Sequence, residues 1–275
     1  MAERSLPELL VPTSDPDALW EIFHENSKNF RASLALREQS TDRTQARMQG
    51  LHEELPYAAF PVIALPEPQP IAMSLTDAIA RRRSERSLRP HPPTAPELST
   101  LLHHAYGMMR DNHFAPFPPR TRAVPSAGAL YPLEIYVHGA VTGLGAGLYH
   151  YSPTRSALHQ LDERDLSTQI AAATLYPSYV AGASLIVFVT AMFERSTWKY
   201  GDRGYRYALL EAGHLVQNLD LVATALGFAS FNLGGYCDRE IDDILQIDGI
   251  THSTVYMVCI GRWPGQSFAG IRPTQ

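Results

Sequence analysis

The chain has 275 residues, of which 45% are hydrophobic and 19% are charged, so it can bury a full core and does not have a disordered composition. Its formal net charge of -5 and its pI of about 6.1 give no general attraction to nucleic acid or to an anionic membrane. Cys237 and Cys259 do not have the spacing of a zinc site. We expect both cysteines to be ordinary core residues, and we expect no bound metal.

No stretch of the sequence approaches the roughly 18 apolar residues of a membrane-spanning helix. The N-terminus also lacks the basic region and the long apolar run of a signal peptide. The sequence therefore predicts a soluble, cytoplasmic protein with no nucleic-acid or membrane partner.

The first 70 residues differ from the rest of the chain. Apolar residues have helical spacing in Asp15–Phe30, and a polar helix is predicted over Thr41–Glu54. Four prolines between Pro61 and Pro70 predict a linker without regular structure. We interpret residues 1–70 as an N-terminal helical segment with a proline-rich linker, which is a candidate docking element. Residues 71–275 form the main domain.

The main domain begins with two helices that carry recognisable start signals. Ser74 is suited to cap the N-terminus of a helix over Leu75–Arg83. Thr94 is suited to cap a second helix over Ala95–Met109. The segment Arg110–Pro125 is rich in Pro, Phe and Arg, and it is predicted to be a loop.

The remaining elements alternate between strands and helices. Strands are predicted at Leu133–Gly139, Gly147–Tyr151, Ser184–Met192, Phe228–Leu233 and Thr254–Ile260. Helices are predicted at Asp165–Leu175, Tyr205–Leu226 and Asp238–Leu245. The first two strands read as a hairpin, and the continuous apolar run of the third indicates a strand buried on both faces. The long second helix has an apolar face wide enough for a core or a dimer interface. The sequence therefore predicts an α+β fold with a mostly antiparallel sheet flanked by helices.

A basic cluster at a predicted helix end is the first candidate site. Arg81–Arg86 holds four arginines in six residues, together with Ser84. The helix dipole repels anions at a C-terminus, so a phosphate there must be held by the side chains themselves, through bidentate arginine contacts and a hydroxyl donor. A solvated basic helix end is the alternative interpretation.

Two further segments combine small residues with polar groups. Val124–Pro132 brackets small residues between two prolines, which lets the backbone approach a flat ligand closely. Asn232–Tyr236 places paired glycines after a strand, where backbone amides can donate to a ring. Either segment could instead be a plain structural turn.

A third candidate is rich in groups that exchange protons. Trp198–Tyr207 contains three tyrosines and three basic residues, among them the adjacent pair Lys199 and Tyr200. Either side chain can act as a base if its pKa is lowered by burial or by a neighbouring cation. The helix that follows carries Glu211, His214 and Asn218 near one side. Snorkelling side chains at a helix start and a packed structural histidine are the alternatives.

Taken in order, these segments resemble the SagB-type dehydrogenases, which are thiazole/oxazole (azoline) oxidases of the FMN-dependent, nitroreductase-like superfamily. The resemblance covers most of the chain. It runs from Phe23–Lys28 through RRSER, PSAGALYP, GLYHY and WKYGDRGYRYALLEAGHLVQN, and it ends near Cys259–Arg262. The combination of PSAGALYP, KYG-x-R-x-YR and AGH-x-x-QN is highly specific.

The resemblance implies a nitroreductase-like FMN-binding fold, usually an intertwined homodimer with flavins at the subunit interface. Lys199 and Tyr200 match the active-site pair of the azoline oxidases. Residues implied in cofactor binding are Arg82, Arg83, Ser84, Arg86, Pro125, Ser126, Ala127, Gly128, Asn218, Gly234, Gly235 and Arg262. Arg272 is an alternative to Arg262 for the phosphate contact.

The implied reaction is the oxidation of a thiazoline or oxazoline to the aromatic azole, with FMN as hydride acceptor and dioxygen as final oxidant. Lys199 or Tyr200 would remove the acidic ring proton, and the two groups titrate as a pair. The substrate would be a ribosomal peptide, with a cyclodehydratase as partner, or an intermediate bound to the carrier protein of a nonribosomal synthetase. The alternatives are an NAD(P)H-dependent FMN nitroreductase or flavin reductase, and a non-catalytic scaffold subunit of a peptide-modifying complex.

Overall fold

The computed structural model describes residues 18–29, 50–51, 55–113, 118–263 and 265. Over these residues the fold is α+β, as the sequence predicts. A large antiparallel sheet is flanked by helices on both of its faces.

Helices and strands succeed one another along the whole described chain. The helices are α1 (Leu19–Asn26), α2 (Leu75–Arg81), α3 (Ala95–Tyr106), α4 (Ser167–Ala172), α5 (Pro177–Ala181), α6 (Glu194–Tyr200), α7 (Arg203–Ala225) and α8 (Asp238–Leu245). The strands are β1 (Val62–Ala64), β2 (Met108–Asp111), β3 (Arg120–Arg122), β4 (Leu133–Val141), β5 (Gly145–Ser152), β6 (Ala157–Asp162), β7 (Leu185–Met192), β8 (Ala229–Leu233) and β9 (His252–Gly261). A short 3-10 turn covers Ala127–Ala129.

Seven of the strands form one sheet in the order β1-β6-β5-β4-β7-β9-β8, and every neighbouring pair is antiparallel. β2 and β3 form a separate two-stranded sheet. β7 lies between β4 and β9, and its side chains are buried on both faces. The continuous apolar run of β7 therefore reflects helices on both sides, and that prediction is confirmed.

The two faces of the sheet pack against different helices because side chains alternate along each strand. Ile135 and Val137 of β4 point into a core that α3 and α7 complete. Tyr136 points into a second core, which α4, α5 and α8 complete. The long helix α7 is thus a core helix on one side, while Leu209 and Leu210 remain exposed on the other.

Both predicted helix starts are confirmed. The Ser74 hydroxyl accepts a hydrogen bond from the Asp77 amide at 3.1 Å. Thr94 and Glu97 form a complete capping box at the start of α3. Both helices end earlier than predicted, and α3 gives way to β2 immediately after Gly107.

The proline-rich linker contains a strand, contrary to the prediction. β1 pairs with β6, with Ile63 opposite Leu158. The strand fits between Pro61 and Pro66, and it lies at the edge of the sheet, where a flanking proline sacrifices no ladder hydrogen bond. Part of the segment 1–70 is therefore tied to the sheet of the main domain.

Other expectations also need correction. The predicted loop over Arg110–Pro125 contains part of β2 and all of β3, and no sequence pattern predicts β6, α5 or α6. Cys259 is buried as expected, but Cys237 is exposed. The predicted helix over Thr41–Glu54 lies mostly outside the described residues, as does Arg272. No helix in the described part of the chain is long and apolar enough to cross a membrane.

A network of charged and aromatic side chains is buried at one end of the sheet. Glu134 of β4 accepts hydrogen bonds from Arg195 of α6 at 2.5 Å and from His150 of β5 at 2.8 Å. Burial raises the pKa of the Glu134 carboxyl, but Arg195 and His150 outweigh burial and hold this pKa well below its usual range. Arg195 also donates to the Leu51 carbonyl at 2.7 Å. The network therefore ties the N-terminal segment to the sheet.

Candidate active site

The loop between β3 and β4 has a strained backbone. Gly128 has φ of 64°, Ala129 of 54° and Tyr131 of 43°. Positive φ costs a residue with a Cβ roughly 1–2 kcal/mol, so such a conformation persists only where the surroundings enforce it. Here the Ser126 hydroxyl accepts a hydrogen bond from the Tyr131 amide at 2.9 Å.

Lys199 and Tyr200 occupy the last turn of α6, which Gly201 ends with φ of 58°. The helix directs the two side chains onto the strained loop. A Cβ built on Gly128 would lie 2.6 Å from the Tyr200 hydroxyl oxygen and 2.9 Å from Lys199 Nζ. The fold therefore brings together two sequence motifs that are about 70 residues apart.

A cavity of about 580 Å³ opens beside this contact. Its lining includes three cationic side chains, Arg110, Arg122 and Lys199. The loop contributes the following residues: Val124, Pro125, Ser126, Gly128 and Ala129. Cavities of this size accommodate small molecules and cofactor rings. The positive lining favours a ligand or an intermediate that carries negative charge.

Tyr200 is half-buried, and its ring meets the Tyr207 ring edge-on at 5.0 Å. Burial, and then Tyr207, raise the pKa of the Tyr200 phenol above its ordinary value of 10.0. The lowered pKa that a tyrosine base requires is therefore not found for Tyr200, because burial disfavours the phenolate. The phenol is protonated at neutral pH and can donate a hydrogen bond. Lys199 Nζ lies 5.4 Å from the centroid of the Tyr200 ring, so the two groups share one local environment.

Arg122 is a cavity residue that no sequence motif identifies. Its guanidinium lies 4.4 Å from the Tyr106 ring centroid and 5.1 Å from that of Tyr131. Such stacking holds a cation in place while leaving hydrogen-bond donors for a ligand. A single sequence carries no signal for this arrangement, because the two rings come from α3 and from the loop.

Glu211 of α7 lies beneath the loop and is 2% exposed. It accepts a hydrogen bond from the Tyr106 hydroxyl at 2.6 Å and another from the Ser126 hydroxyl. Burial raises the pKa of the Glu211 carboxyl to about 7, although these two hydrogen bonds and the nearby Arg122 act to lower it. His214, one turn along the helix, is exposed.

The predicted basic cluster forms a ridge beside β8 and the end of β9. Ser84 bridges to Ser230, and Arg89 exchanges two backbone hydrogen bonds with Arg262 at 2.8 and 2.9 Å. The segment that follows α2 thus runs alongside both strands. We define the basic ridge as the following residues: Arg82, Arg83, Ser84, Arg86 and Arg262.

Aromatic and acidic neighbours hold individual members of the basic ridge. Arg83 lies 3.5 Å from the centroid of the Trp263 ring, and Arg86 lies 5.1 Å from that of Phe231. Asp220 of α7 is 1% exposed and interacts electrostatically with Arg82. The four guanidinium groups of the ridge outnumber the carboxylates beside them, so the ridge is suited to bind a phosphate.

The remaining predicted residues occupy different places. Gly234 has open space around the position of a Cβ, whereas a Cβ on Gly235 would meet Leu175 at 2.9 Å. Asn218 lines a separate, largely apolar groove of about 290 Å³ between α2 and α7. Asn218 therefore does not line the cavity that holds Lys199.

The family model described as the nitroreductase family matches residues 79–262. The chain belongs to the nitroreductase family. The match covers every strand of the large sheet except β1, and it includes the basic ridge and the strained loop.

The chain is also similar to three individual proteins. The chain is 39% identical over 186 residues to a protein of Methanocaldococcus jannaschii that is named as a nitroreductase, a match covering 67% of this chain and 89% of that protein. It is 32% identical over 139 residues to the microcin B17-processing protein McbC of Escherichia coli, covering 46% of this chain and 49% of McbC. It is 29% identical over 150 residues to the trifolitoxin-processing protein TfxB of Rhizobium leguminosarum, covering 51% and 39%.

One chain of a solved complex has the same fold over nearly the whole length of this chain. One chain of the Escherichia coli microcin synthetase McbBCD complex with truncated pro-MccB17 superposes with a TM-score of 0.58 at 23% identity. The superposition covers 95% of this chain and 98% of that chain. This likeness therefore extends the shared fold beyond the residues that the family model matches.

The contact between Gly128 and the Lys199–Tyr200 pair of this nitroreductase-family protein gives a direct prediction. We expect Gly128→Ala to lower the turnover of the enzyme at least tenfold, because the new methyl group displaces the two polar groups, and small misplacements at reacting centres are costly. The backbone strain at φ of 64° should also cost about 1–2 kcal/mol of stability. Steady-state kinetics and thermal unfolding measure the two effects.

Gly143→Ala is the matched control, since Gly143 has φ of 90° but nothing within 4 Å of a Cβ. This variant should lose stability to a similar degree and keep its turnover. Equal turnover in the two variants would show that the contact with Lys199 and Tyr200 has no role in catalysis.

Proposed function

We propose that this nitroreductase-family protein is an FMN-dependent dehydrogenase that oxidises thiazoline or oxazoline rings to azoles in the biosynthesis of a peptide natural product. The observation that carries the proposal is the contact of Lys199 and Tyr200 with the loop at Gly128, on the wall of a cavity that suits a small ring. The adjacent Lys-Tyr pair is also the feature that separates the azoline oxidases from ordinary nitroreductases in the sequence resemblance.

The residues present fit FMN. The basic ridge offers guanidinium donors and the Ser84 hydroxyl for a phosphate monoester. The loop Pro125–Gly128 offers small residues against which a flat ring can lie, and Gly234 and Gly235 offer exposed or half-buried backbone. Asn218 is a further candidate contact, from the groove beside α2. When bound, FMN supplies the ring that accepts a hydride.

Lys199 and Tyr200 would handle the proton that the azoline must lose. Its acidic C–H lies beside the C=N bond and the carbonyl, and removal of this proton leaves negative charge on the ring. The protonated Tyr200 phenol can donate a hydrogen bond to the negatively charged ring. The Lys199 amine lies on the same wall of the cavity, where it can exchange a proton with the ring. Arg110 and Arg122 add positive charge that stabilises the anion.

The relatives support the choice of a peptide substrate. McbC and TfxB are named for processing microcin B17 and trifolitoxin, and the solved synthetase complex contains a truncated pro-microcin. We therefore favour a ribosomal peptide with a cyclodehydratase as partner over a substrate bound to a carrier protein. Residues 1–70 remain a proposed docking element, and a cytoplasmic homodimer remains the proposed form of the enzyme.

Absorption spectroscopy of the purified protein tests the proposal. We expect flavin bands that bleach when a thiazoline peptide is added without oxygen, that return with air, and that accompany the loss of two hydrogens per ring by mass spectrometry. Thiazoline peptide that leaves a fully loaded flavin unbleached would contradict the azoline oxidase assignment.

The same experiment separates the two alternatives. The relative from Methanocaldococcus jannaschii, which is named as a nitroreductase, favours an NAD(P)H-dependent nitroreductase as the second candidate. In that case the flavin bands would bleach only with NAD(P)H. Protein that binds no flavin at all would instead favour a scaffold subunit.

A further inference from the structure

Two backbone amides, one in the strained loop and one at the start of β4, are linked to the same buried carboxylate. In each case a side-chain hydroxyl lies between the amide and the carboxylate. The Tyr131 amide donates to the Ser126 hydroxyl at 2.9 Å, and this hydroxyl donates to Glu211. The Leu133 amide donates to the Tyr106 hydroxyl at 3.3 Å, and this hydroxyl donates to Glu211 at 2.6 Å. Both relays converge on one side chain of α7.

The relays enclose the strained part of the loop. Gly128, Ala129 and Tyr131 have positive φ, and all three lie between Ser126 and Leu133. A strained backbone persists only when its surroundings over-determine it. A carboxylate that accepts from both relays provides such a constraint, because charged acceptors form the stronger hydrogen bonds.

We propose that Glu211 is a positioning residue, which holds the Ser126–Leu133 loop in the conformation that presents Gly128 to Lys199 and Tyr200. Glu211 acts through Ser126 and Tyr106 and does not itself touch the substrate. This role of Glu211 adds to the proposed function. It rests on that function in one respect, namely that the flavin ring would lie against this loop.

The charge state of Glu211 controls this constraint. The ionised carboxylate accepts from both hydroxyls, whereas the protonated acid must use one oxygen to donate. The groups that face it are Tyr106 of α3, Ser126 of the loop, Arg122 of β3 and Arg195 of α6. With a pKa of about 7, the carboxyl is ionised above neutral pH and protonated below it. The hydrogen bonds from Ser126 and Tyr106 lower the pKa of this buried carboxyl, so releasing the two hydroxyls while Glu211 stays buried would raise its pKa further. The ordered loop is therefore favoured as the pH rises through about 7, and this contribution is lost as the pH falls.

Hydrogen exchange of the 275-residue chain without flavin tests the proposal independently of activity. At pH 8 we expect Glu211→Gln to lower the protection of the Tyr131 and Leu133 amides about tenfold, since a neutral amide replaces the charged acceptor. Ser126→Ala should affect mainly Tyr131, and Tyr106→Phe mainly Leu133. Unchanged protection in Glu211→Gln would overturn the proposal.

FMN affinity provides a second readout. In the wild type, affinity should fall about tenfold from pH 8 to pH 6, the limit for a single ionisation with a pKa of about 7. In Glu211→Gln, affinity should be low at both pH values and should lose this tenfold change, which leaves only the smaller change caused by the FMN phosphate, whose second pKa is about 6. A variant that keeps the wild-type pH dependence would contradict the role of Glu211.

Asp242→Asn is the matched control. Asp242 is also a buried carboxylate, but it accepts hydrogen bonds from Ser253 and Thr254 on the other face of the sheet. This variant should lose stability without a selective change at Tyr131 and Leu133. Loss of protection there equal to that in Glu211→Gln would show that the effect is general destabilisation. If the wild type binds no FMN, the proposed function fails, while hydrogen exchange still decides the role of Glu211.

Discussion

Replacing Tyr200 by phenylalanine, or Lys199 by methionine, should lower the rate of azoline oxidation by about 100-fold or more while FMN stays bound. The first change removes the phenolic proton from a group that lies against Gly128, and the second removes the adjacent amine. Neither residue belongs to the basic ridge, so the affinity for FMN should remain. Turnover of a thiazoline peptide and the absorption of the bound flavin measure the two properties.

The chain offers matched controls for both changes. Lys28 is the other lysine of the sequence, and it pairs with Glu25 at the surface. Tyr205 packs against Phe23 and Phe193. Lys28→Met and Tyr205→Phe should keep most of the turnover. Full azole formation by both active-site variants with FMN bound would refute the assignment of the pair.

Arg195→Met should destabilise the fold by about 3–5 kcal/mol, the usual cost of removing one partner from a buried ion pair. The side chains of Arg195 and Glu134 are 3% and 8% exposed. Without Arg195, the Glu134 carboxylate stays buried with His150 as its remaining partner, and the Leu51 carbonyl loses its donor. Urea denaturation at neutral pH measures the loss.

Two further variants test whether the unpaired buried charge causes this loss of stability. Arg164 and Asp162 form a surface pair, in which Arg164 is 73% exposed, so Arg164→Met should change the stability far less than Arg195→Met does. Adding Glu134→Gln to Arg195→Met removes the unpaired charge and should restore part of the stability. A loss in Arg195→Met no larger than that in Arg164→Met would contradict the buried-pair interpretation.

The elements predicted best are those that one physical pattern decides. The eight-residue apolar run of β7 has one stable place, between helices on both faces of a sheet. α8 occupies the predicted range, Asp238–Leu245, because its apolar residues have clear helical spacing. Ser74 and Thr94 identified two helix starts through capping chemistry.

The missed elements depend on long-range contacts. β6 carries the adjacent polar residues His159 and Gln160, which interrupt the alternation of apolar and polar residues that would predict a strand. His159 is nevertheless buried, and its ring stacks on His150 of the neighbouring strand. α6 is only seven residues long and contains Thr197 and Trp198, which are weak helix formers. It is stabilised by packing on α7 and by the buried contacts of Arg195.

In the candidate site, too, local sequence patterns identify some features, whereas others depend on long-range contacts. Residue type and order along the chain were enough to select Lys199, Tyr200 and the loop at Gly128. Their contact across about 70 residues, and the convergence of two relays on Glu211, could not be derived from one sequence. These features arise where α3, α6 and α7 meet the sheet, and they depend on side-chain directions that only the fold determines.

The strand order has a consequence for how the chain reaches its folded state during synthesis. β9 comes after every other described strand along the chain, yet it lies between β7 and β8 in the sheet. Until β9 has left the ribosome, β7 is an open edge of mostly apolar residues, and β8 has no neighbour in the sheet. Such an edge invites pairing with other chains. The large sheet can therefore be completed only after residue 261 emerges, and until then the nascent chain carries the exposed edge of β7.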